Sequence, residues 1–236
     1  MTWSLVAIDP ATGRIGVAVA SRFFAVGARV PFIAPRAGAV ATQALVNPLY
    51  GPKGLALLRE GASAEETLRA LLDVDAGRDA RQAHVLDRAG RTAAHTGRDC
   101  VDWCGHVAGP GCSVAGNMLA GPEVVAETAR AFEEGAPLPF PRRLIAAMAA
   151  GEAAGGDKRG RQSAALLVFG DEDASDLDIR VDDHPDPIPE LARLEAVSRE
   201  RWVHLRPFLP RRDDPVGVTD RDLINAAIER ALAEEA

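Results

Sequence analysis

The stretch that most constrains the fold is the first, Met1-Thr2-Trp3-Ser4-Leu5-Val6-Ala7-Ile8-Asp9. Side chains alternate along an extended chain, so Thr2, Ser4, Val6 and Ile8 share one face and Trp3, Leu5 and Ala7 the other. Beyond the tip both faces are apolar, which predicts a central strand covered on two sides. Asp9-Pro10-Ala11-Thr12-Gly13 is turn chemistry: proline fixes φ, and glycine takes positive φ at no steric cost. Residues 14–21 are then the returning strand of a hairpin. Its Gly16 and alanines make it thin, so another layer can approach closely. The return brings Arg22 back to the start of the chain. There, Thr2 is small enough for an aminopeptidase to remove Met1. A terminal threonine joins a hydroxyl nucleophile to an α-amine of pKa about 7.7–8.0, a usable base near neutrality. The plainer alternative is that Thr2 is simply the second residue of a strand.

Residues 30–34 and 38–45 read as two more strands, split by Pro35-Arg36-Ala37. Thr42 and Gln43 are polar residues in the second apolar run, lining a site or satisfying backbone groups. Residues 54–60 read as a short helix closed by Gly61. Ser63-Ala64-Glu65-Glu66 is a capping box, and Leu68, Leu71 and Leu72 give the helix behind it a buried face. Residues 82–87 and 91–96 form a hairpin whose loop spacing sets His84 opposite His95, an ordinary cross-strand pair in preference to a metal pair. Residues 100–117 read as an irregular glycine-rich loop entering a short strand at 112–118. A helix follows Gly121-Pro122, and another runs from Pro141, well placed for a first helical position, to Ala150. Residues 151–162 read as a polar loop feeding a buried strand at 163–169; residues 176–182 alternate like a half-exposed strand.

This order predicts an α+β fold with sheets packed together and helices outside, not a regular βαβ repeat. Residues 1–183 form the expected main domain. Residues 184–236 form a proline-stiffened connector and helical tail, with helices at 190–205 and after a cap at Thr219. The tail is too small for a core of its own. It should pack on the main domain or on a second copy, so a homodimer is expected.

Composition excludes several functions. Hydrophobic residues are 47% of 236, enough for a real core, while a net charge of -7 speaks against nucleic-acid binding. No apolar run reaches membrane-spanning length and no secretory leader precedes the first strand, so a cytoplasmic protein without a membrane partner is expected. Three cysteines are too few for a disulfide framework. Cys100, Cys104, His106 and Cys112 include one allowed zinc spacing but no second tight pair, so no metal or other cofactor is expected. Residues 151–163 lack the Gly-Lys-Ser/Thr ending of a phosphate loop.

Five separated stretches carry a more specific signal: TWSLVAIDPATGRIGVAVASRFFAVGA, GAVATQALVNPLYGPKGL, GPGCSVAGNMLAG, AAGGDKRGRQSAALLV and DIRVDDHPDPI. Together, across residues 2–188, they resemble the bacterial domain of unknown function 1028 (DUF1028) family; the tail from about Pro189 lies outside the resemblance. The wider resemblance is to the N-terminal nucleophile (Ntn) hydrolases, the superfamily in which that family is placed. It implies a four-layer αββα sandwich, here with a C-terminal helical extension. It also implies a first strand beginning on a nucleophilic Thr, Ser or Cys, with the terminal amine as base. Thr2 holds that position, and the thin strand ending at Ser21-Arg22 looks like the superfamily's second strand. The expected activity is hydrolysis or acyl transfer at a carbon–nitrogen bond of a small amide, one carrying a carboxylate. Fold follows from such a resemblance more firmly than activity. In this scheme Thr2 attacks, Gly116 and Asn117 hold the oxyanion, and Arg22 and Asp157 orient the amine or bind substrate. Arg159, Arg161 and Gln162 would take the carboxylate, with Ser4, Ser21, Thr42 and Gln43 lining the site. The alternative is a non-catalytic binding or scaffold protein on the same fold, which a retained Met1 would favour.

Overall fold

The structure is a computed structural model and describes residues 2–235. In chain order the strands are β1 (Thr2–Ile8), β2 (Ile15–Ser21), β3 (Pro31–Ala34), β4 (Gly38–Ala44), β5 (Arg81–Asp87), β6 (Thr92–Thr96), β7 (Gly105–Gly109), β8 (Cys112–Asn117), β9 (Ser163–Phe169) and β10 (Leu177–Val181). The helices are α1 (Tyr50–Arg59), α2 (Ala64–Asp73), α3 (Glu123–Glu134), α4 (Phe140–Ala153), α5 (Pro187–Ser198), α6 (Trp202–Leu205) and α7 (Arg221–Glu235). One sheet has the order β10-β9-β2-β1-β8-β7 and the other β3-β4-β5-β6, and every pairing is antiparallel. This is the α+β plan expected from the order of elements.

The opening strand lies inside the larger sheet, with β2 on one edge and β8 on the other. Its two faces enter different cores. Trp3, Leu5 and Ala7 pack with Val124, Leu144 and Met148 beneath α3 and α4. Val6 joins Val17, Ile33, Ala41 and Leu86 in a second core between the sheets. A third core packs Val40 and Val85 against Leu55, Leu68 and Leu71 of α1 and α2. The thinness of β2 has a direct cause. A Cβ added at Gly16 would sit 2.5 Å from Leu144 Cδ1, so only glycine lets α4 come this close.

The capping box forms as read: Ser63 Oγ accepts from Glu66 N at 3.2 Å, and Glu66 Oε2 accepts from Ser63 N at 2.8 Å. Elsewhere the boundaries shift. α1 begins at Tyr50, ahead of the expected residue 54, because Tyr50 is buried and donates to Asp75 Oδ2. The glycine-rich 100–117 segment contains a strand the sequence reading missed: β7 pairs with β8 through the Pro110-Gly111 turn, where Gly111 takes φ +71°. α4 continues to Ala153 into the expected loop. α5 starts at Pro187, inside the proline-rich connector, with proline in its first turn. The last helix takes its first amide bonds from Asp220, not Thr219: its Oδ1 accepts from the N–H groups of Asp222 and Leu223.

The β5–β6 register also differs. His84 pairs with Ala94, and His95 pairs with Ala83. A one-residue change turns side chains to the opposite face, so His84 and His95 are not partners. The start of the tail packs on the main body: Ile188 and Leu191 share the core of Leu144 and Leu166, and Trp202 Nε1 donates to Asp176 O at 2.8 Å. No helix among the described residues is long and apolar enough to cross a membrane.

Candidate functional site

Near Thr2 the apolar space between the sheets becomes polar. The alternation of β1 sends Thr2 and Ser4 inward below Val6, and β8 places Asn117 opposite Thr2 and Ser113 opposite Val6. From the facing sheet come Gln43 of β4 and Gln82 and His84 of β5, with Gln43 paired to Gln82. Ser4, Gln43, Gln82, His84, Ser113 and Asn117 are all essentially buried. Buried polar groups are costly unless they are hydrogen-bonded, and these six bond to one another.

Donor counting fixes the direction of each bond. Gln43 Nε2 faces the carbonyls of Thr2 (3.3 Å) and Ala115 (3.0 Å), which can only accept. Gln43 Oε1 therefore accepts, and it takes the Ser4 hydroxyl proton at 2.8 Å. Ser4 Oγ has no second proton to give, so His84 Nε2–H donates to it at 2.8 Å. His84 Nδ1 is then an acceptor, and Ser113 donates to it at 3.1 Å. Gln82 Nε2 faces the Gly116 and Gly105 carbonyls at 2.7 and 3.1 Å. Its Oε1 accepts from Gln43 Nε2 at 2.8 Å and Asn117 Nδ2 at 3.0 Å. It is burial that keeps the His84 ring neutral: burial, assisted by nearby His106, pushes its pKa down to about 3, because the imidazolium would lose its water shell.

At the rim of this network Thr2 Oγ1 lies 3.1 Å from Ser21 Oγ. The Thr2 carbonyl accepts from Asn117 Nδ2 at 3.4 Å as well as from Gln43. Gln43 and Asn117 are each followed by a non-glycine residue in the left-handed region, Ala44 at φ 67° and Met118 at φ 55°. Both strands therefore turn sharply just beyond their amide side chains. On the other side of Ser21 is a cavity of ≈ 120 Å³ lined by Trp3, Ala20, Gly156, Asp157 and Arg161. Asp157 organises its wall: Oδ2 accepts from Arg22 N at 2.7 Å and Oδ1 from Arg159 N at 2.8 Å. Arg161 pairs with Glu152 at 3.2 Å and Asp186 at 2.7 Å. Burial raises the Glu152 pKa, an effect that Arg161 opposes.

The structure therefore gathers Thr2, Ser4, Ser21, Gln43, Gly116 and Asn117 at one end of the sheets, with Asp157 and Arg161 across the cavity. Arg22 meets Asp157 through its backbone N–H. Arg159 is drawn to the Asp157 carboxylate, 3.3 Å away. Two residues are not in the group. Thr42 occupies the helix-side face of β4, shared with Val40, and its buried Oγ1 has no hydrogen-bond partner. Gln162 turns to Asp183, donating at 3.0 Å. Gln82, His84 and Ser113 were not singled out as site residues. Their signal was polar alternation inside buried strands, Gln82-Ala83-His84 above all.

Cys104 Sγ lies 3.5 Å from Cys100 O, but Cys112 stays apart from both. Cys104 immediately precedes β7, whereas Cys112 pairs with Gly109 at the far end of the same hairpin, five residues and about 17 Å along the strand. Burial raises the pKa of all three thiols. Among the described residues no group of three or more His, Cys, Asp or Glu is arranged to hold a metal ion.

Comparison with known proteins places this architecture. Protein SPO2555 from Silicibacter pomeroyi, a DUF1028 crystal structure, superposes with a TM-score of 0.85 at 33% identity, over 93% of this chain and 96% of that one. Anbu, the ancestral beta-subunit from Yersinia bercovieri, gives a TM-score of 0.42 at 10% identity, over 83% of this chain and 94% of its own. No curated protein matches. The model of the family of unknown function DUF1028 matches residues 2–191. The chain belongs to that family.

Proposed function

We propose that the protein is an amidohydrolase or acyl transferase with Thr2 as its nucleophile, on a four-layer αββα sandwich of the Ntn type. The observation that carries this reading is the position of Thr2 Oγ1, at the end of a central strand and 3.1 Å from the Oγ of Ser21, a residue that also lines a small cavity. Once Met1 is removed, the Thr2 amine takes the hydroxyl proton, directly or through a water, as Oγ1 attacks the amide carbonyl. Collapse of the tetrahedral intermediate breaks the C–N bond, and the proton leaves with the amine. Water, or an acceptor nucleophile, then cleaves the Thr2 ester. Asn117 Nδ2 holds Thr2 in place through a long 3.4 Å bond to its carbonyl, and that weak bond is the one an oxyanion would replace. Gly116 shapes the same strand end. Arg161 on the cavity wall, with Arg159 nearby, favours an amide that carries a carboxylate.

The test has two parts. Mass measurement of the N-terminus of natively expressed protein should give threonine. A panel of amide and γ-glutamyl-type substrates should then show turnover that Thr2→Ala abolishes while the fold persists. Full activity in Thr2→Ala would end the proposal. A retained methionine would favour the second reading, a binding protein, which the fully satisfied, uncharged network around Ser4 also supports.

A further inference from the structure

A second cavity lies at the other end of β2. Arg14 precedes that strand and Ser21 ends it, so the two regions are about 20 Å apart along the sheet. The cavity, of ≈ 160 Å³, opens between the tail helices α5 and α6, the start of α4, and strands β9 and β10. Its walls are largely apolar, from Pro139, Pro141, Val168, Leu177 and Val203. Its charges come as two sets. Arg14 and Arg206 both pair with Asp176, Arg14 at 2.9 Å. Arg142 and Arg199 both pair with Glu195, at 3.6 and 3.3 Å.

Each of these carboxylates is nine-tenths buried, while each guanidinium keeps 29–42% of its side-chain surface exposed. Four positive charges against two negative leave a local excess of two, an unusual surplus around a largely apolar hollow. Two atoms here are buried without a hydrogen-bond partner: Asp176 Oδ2, which Arg14 faces only as an ion pair, and Arg142 Nε, whose carboxylate is too distant to accept. A buried charged donor without an acceptor is costly. An incoming oxyanion would offset the surplus at the exposed parts of these guanidinium groups.

We infer that this cleft binds a small organic carboxylate with an apolar body, its head on the arginines and its body against the prolines, Val168 and Leu177. This site is separate from Thr2 and does not depend on the proposed hydrolysis. The binding is driven by charge-assisted, fork-shaped hydrogen bonds and by burial of the apolar body.

Calorimetric titration of the full chain with benzoate, benzamide and inorganic phosphate tests it. Benzoate should bind, benzamide and phosphate at least about tenfold more weakly. Arg142→Gln, which leaves Glu195 paired with Arg199, should weaken benzoate about tenfold. Val203→Phe, at a half-exposed position, should block the hollow without touching a charge, and so covers the case in which the arginine variant misfolds. Absence of benzoate binding at millimolar concentration would overturn the inference. So would equal binding of benzamide or phosphate, or benzoate affinity unchanged in both variants.

Discussion

His84 makes acid stability a quantitative test of the inter-sheet network. Its folded pKa of about 3 is far below the ordinary value of 6.5. Between those two values the unfolded chain binds a proton that the folded protein refuses. Stability therefore falls as pH drops below about 6.5, and continues to fall towards pH 3. Above pH 6.5 both states are neutral at this residue and its contribution is flat. Each pH unit in the window is worth about 1.36 kcal/mol, so moving from pH 7 to pH 5 should remove about 2 kcal/mol through His84 alone. Replacing it by glutamine removes the titration and retains a donor and an acceptor. Urea unfolding at pH 7, 6 and 5 should show the native chain losing about 2 kcal/mol more than His84→Gln over that range. His106, Asp75 and Asp87 also have depressed pKa values. They remain in both proteins, so their effects cancel in the difference. Parallel pH profiles would refute a neutral, buried His84, and with it the deduced direction of the Ser113–His84–Ser4–Gln43 chain.

Other outcomes follow from the same geometry. Gln82→Leu leaves donors of Gln43 and Asn117 with one acceptor fewer, and should cost about 1–3 kcal/mol in denaturant unfolding. Gly16→Val drives a side chain into Leu144 and should lower stability by about 1–3 kcal/mol or more; a double variant with Leu144→Ala should recover part of that loss, read from the urea midpoint. Leu5→Ala, in the fully buried core beneath α3 and α4, should cost about 2–5 kcal/mol.

Much of this fold could be read from local pattern. The two-faced apolar run of β1, the turn at residues 9–13 and the thin β2 together bring the end of the hairpin, at Arg22, back to the start of the chain. The capping box named the start of α2. What escaped depended on pairing at a distance. The Ser4–His84 contact joins residues 80 apart in sequence, and no periodicity records which strand of one sheet faces which of the other. The three-residue loop at 88–90 is closed by Asp87 N donating to Arg91 O, and that detail, not the apolar pattern, sets the β5–β6 register. β7 was hidden because Gly105, Ala108 and Gly109 offer little apolar signal, and its pairing with β8 makes it a strand. At the site, Thr42 and Gln43 are neighbours with equal claims by composition. Only the alternation of β4 against a known partner sheet sends one inward and the other to the helices.

The glutamines leave the molecule mechanically lopsided. Gln43 and Gln82 reach from the smaller sheet to main-chain oxygens of Thr2, Ala115, Gly105 and Gly116 in the larger one. Sliding one sheet past the other by a single residue pair, roughly 7 Å, would strand every one of these attachments at once. The opposite end is held chiefly by greasy contacts such as Val17 against Ile33, with one long tie between the hairpin turns, Gly111 N donating to Gly90 O at 3.3 Å. Shear or breathing between the sheets should thus pivot about the Thr2 end, which stays fixed while the far end flexes.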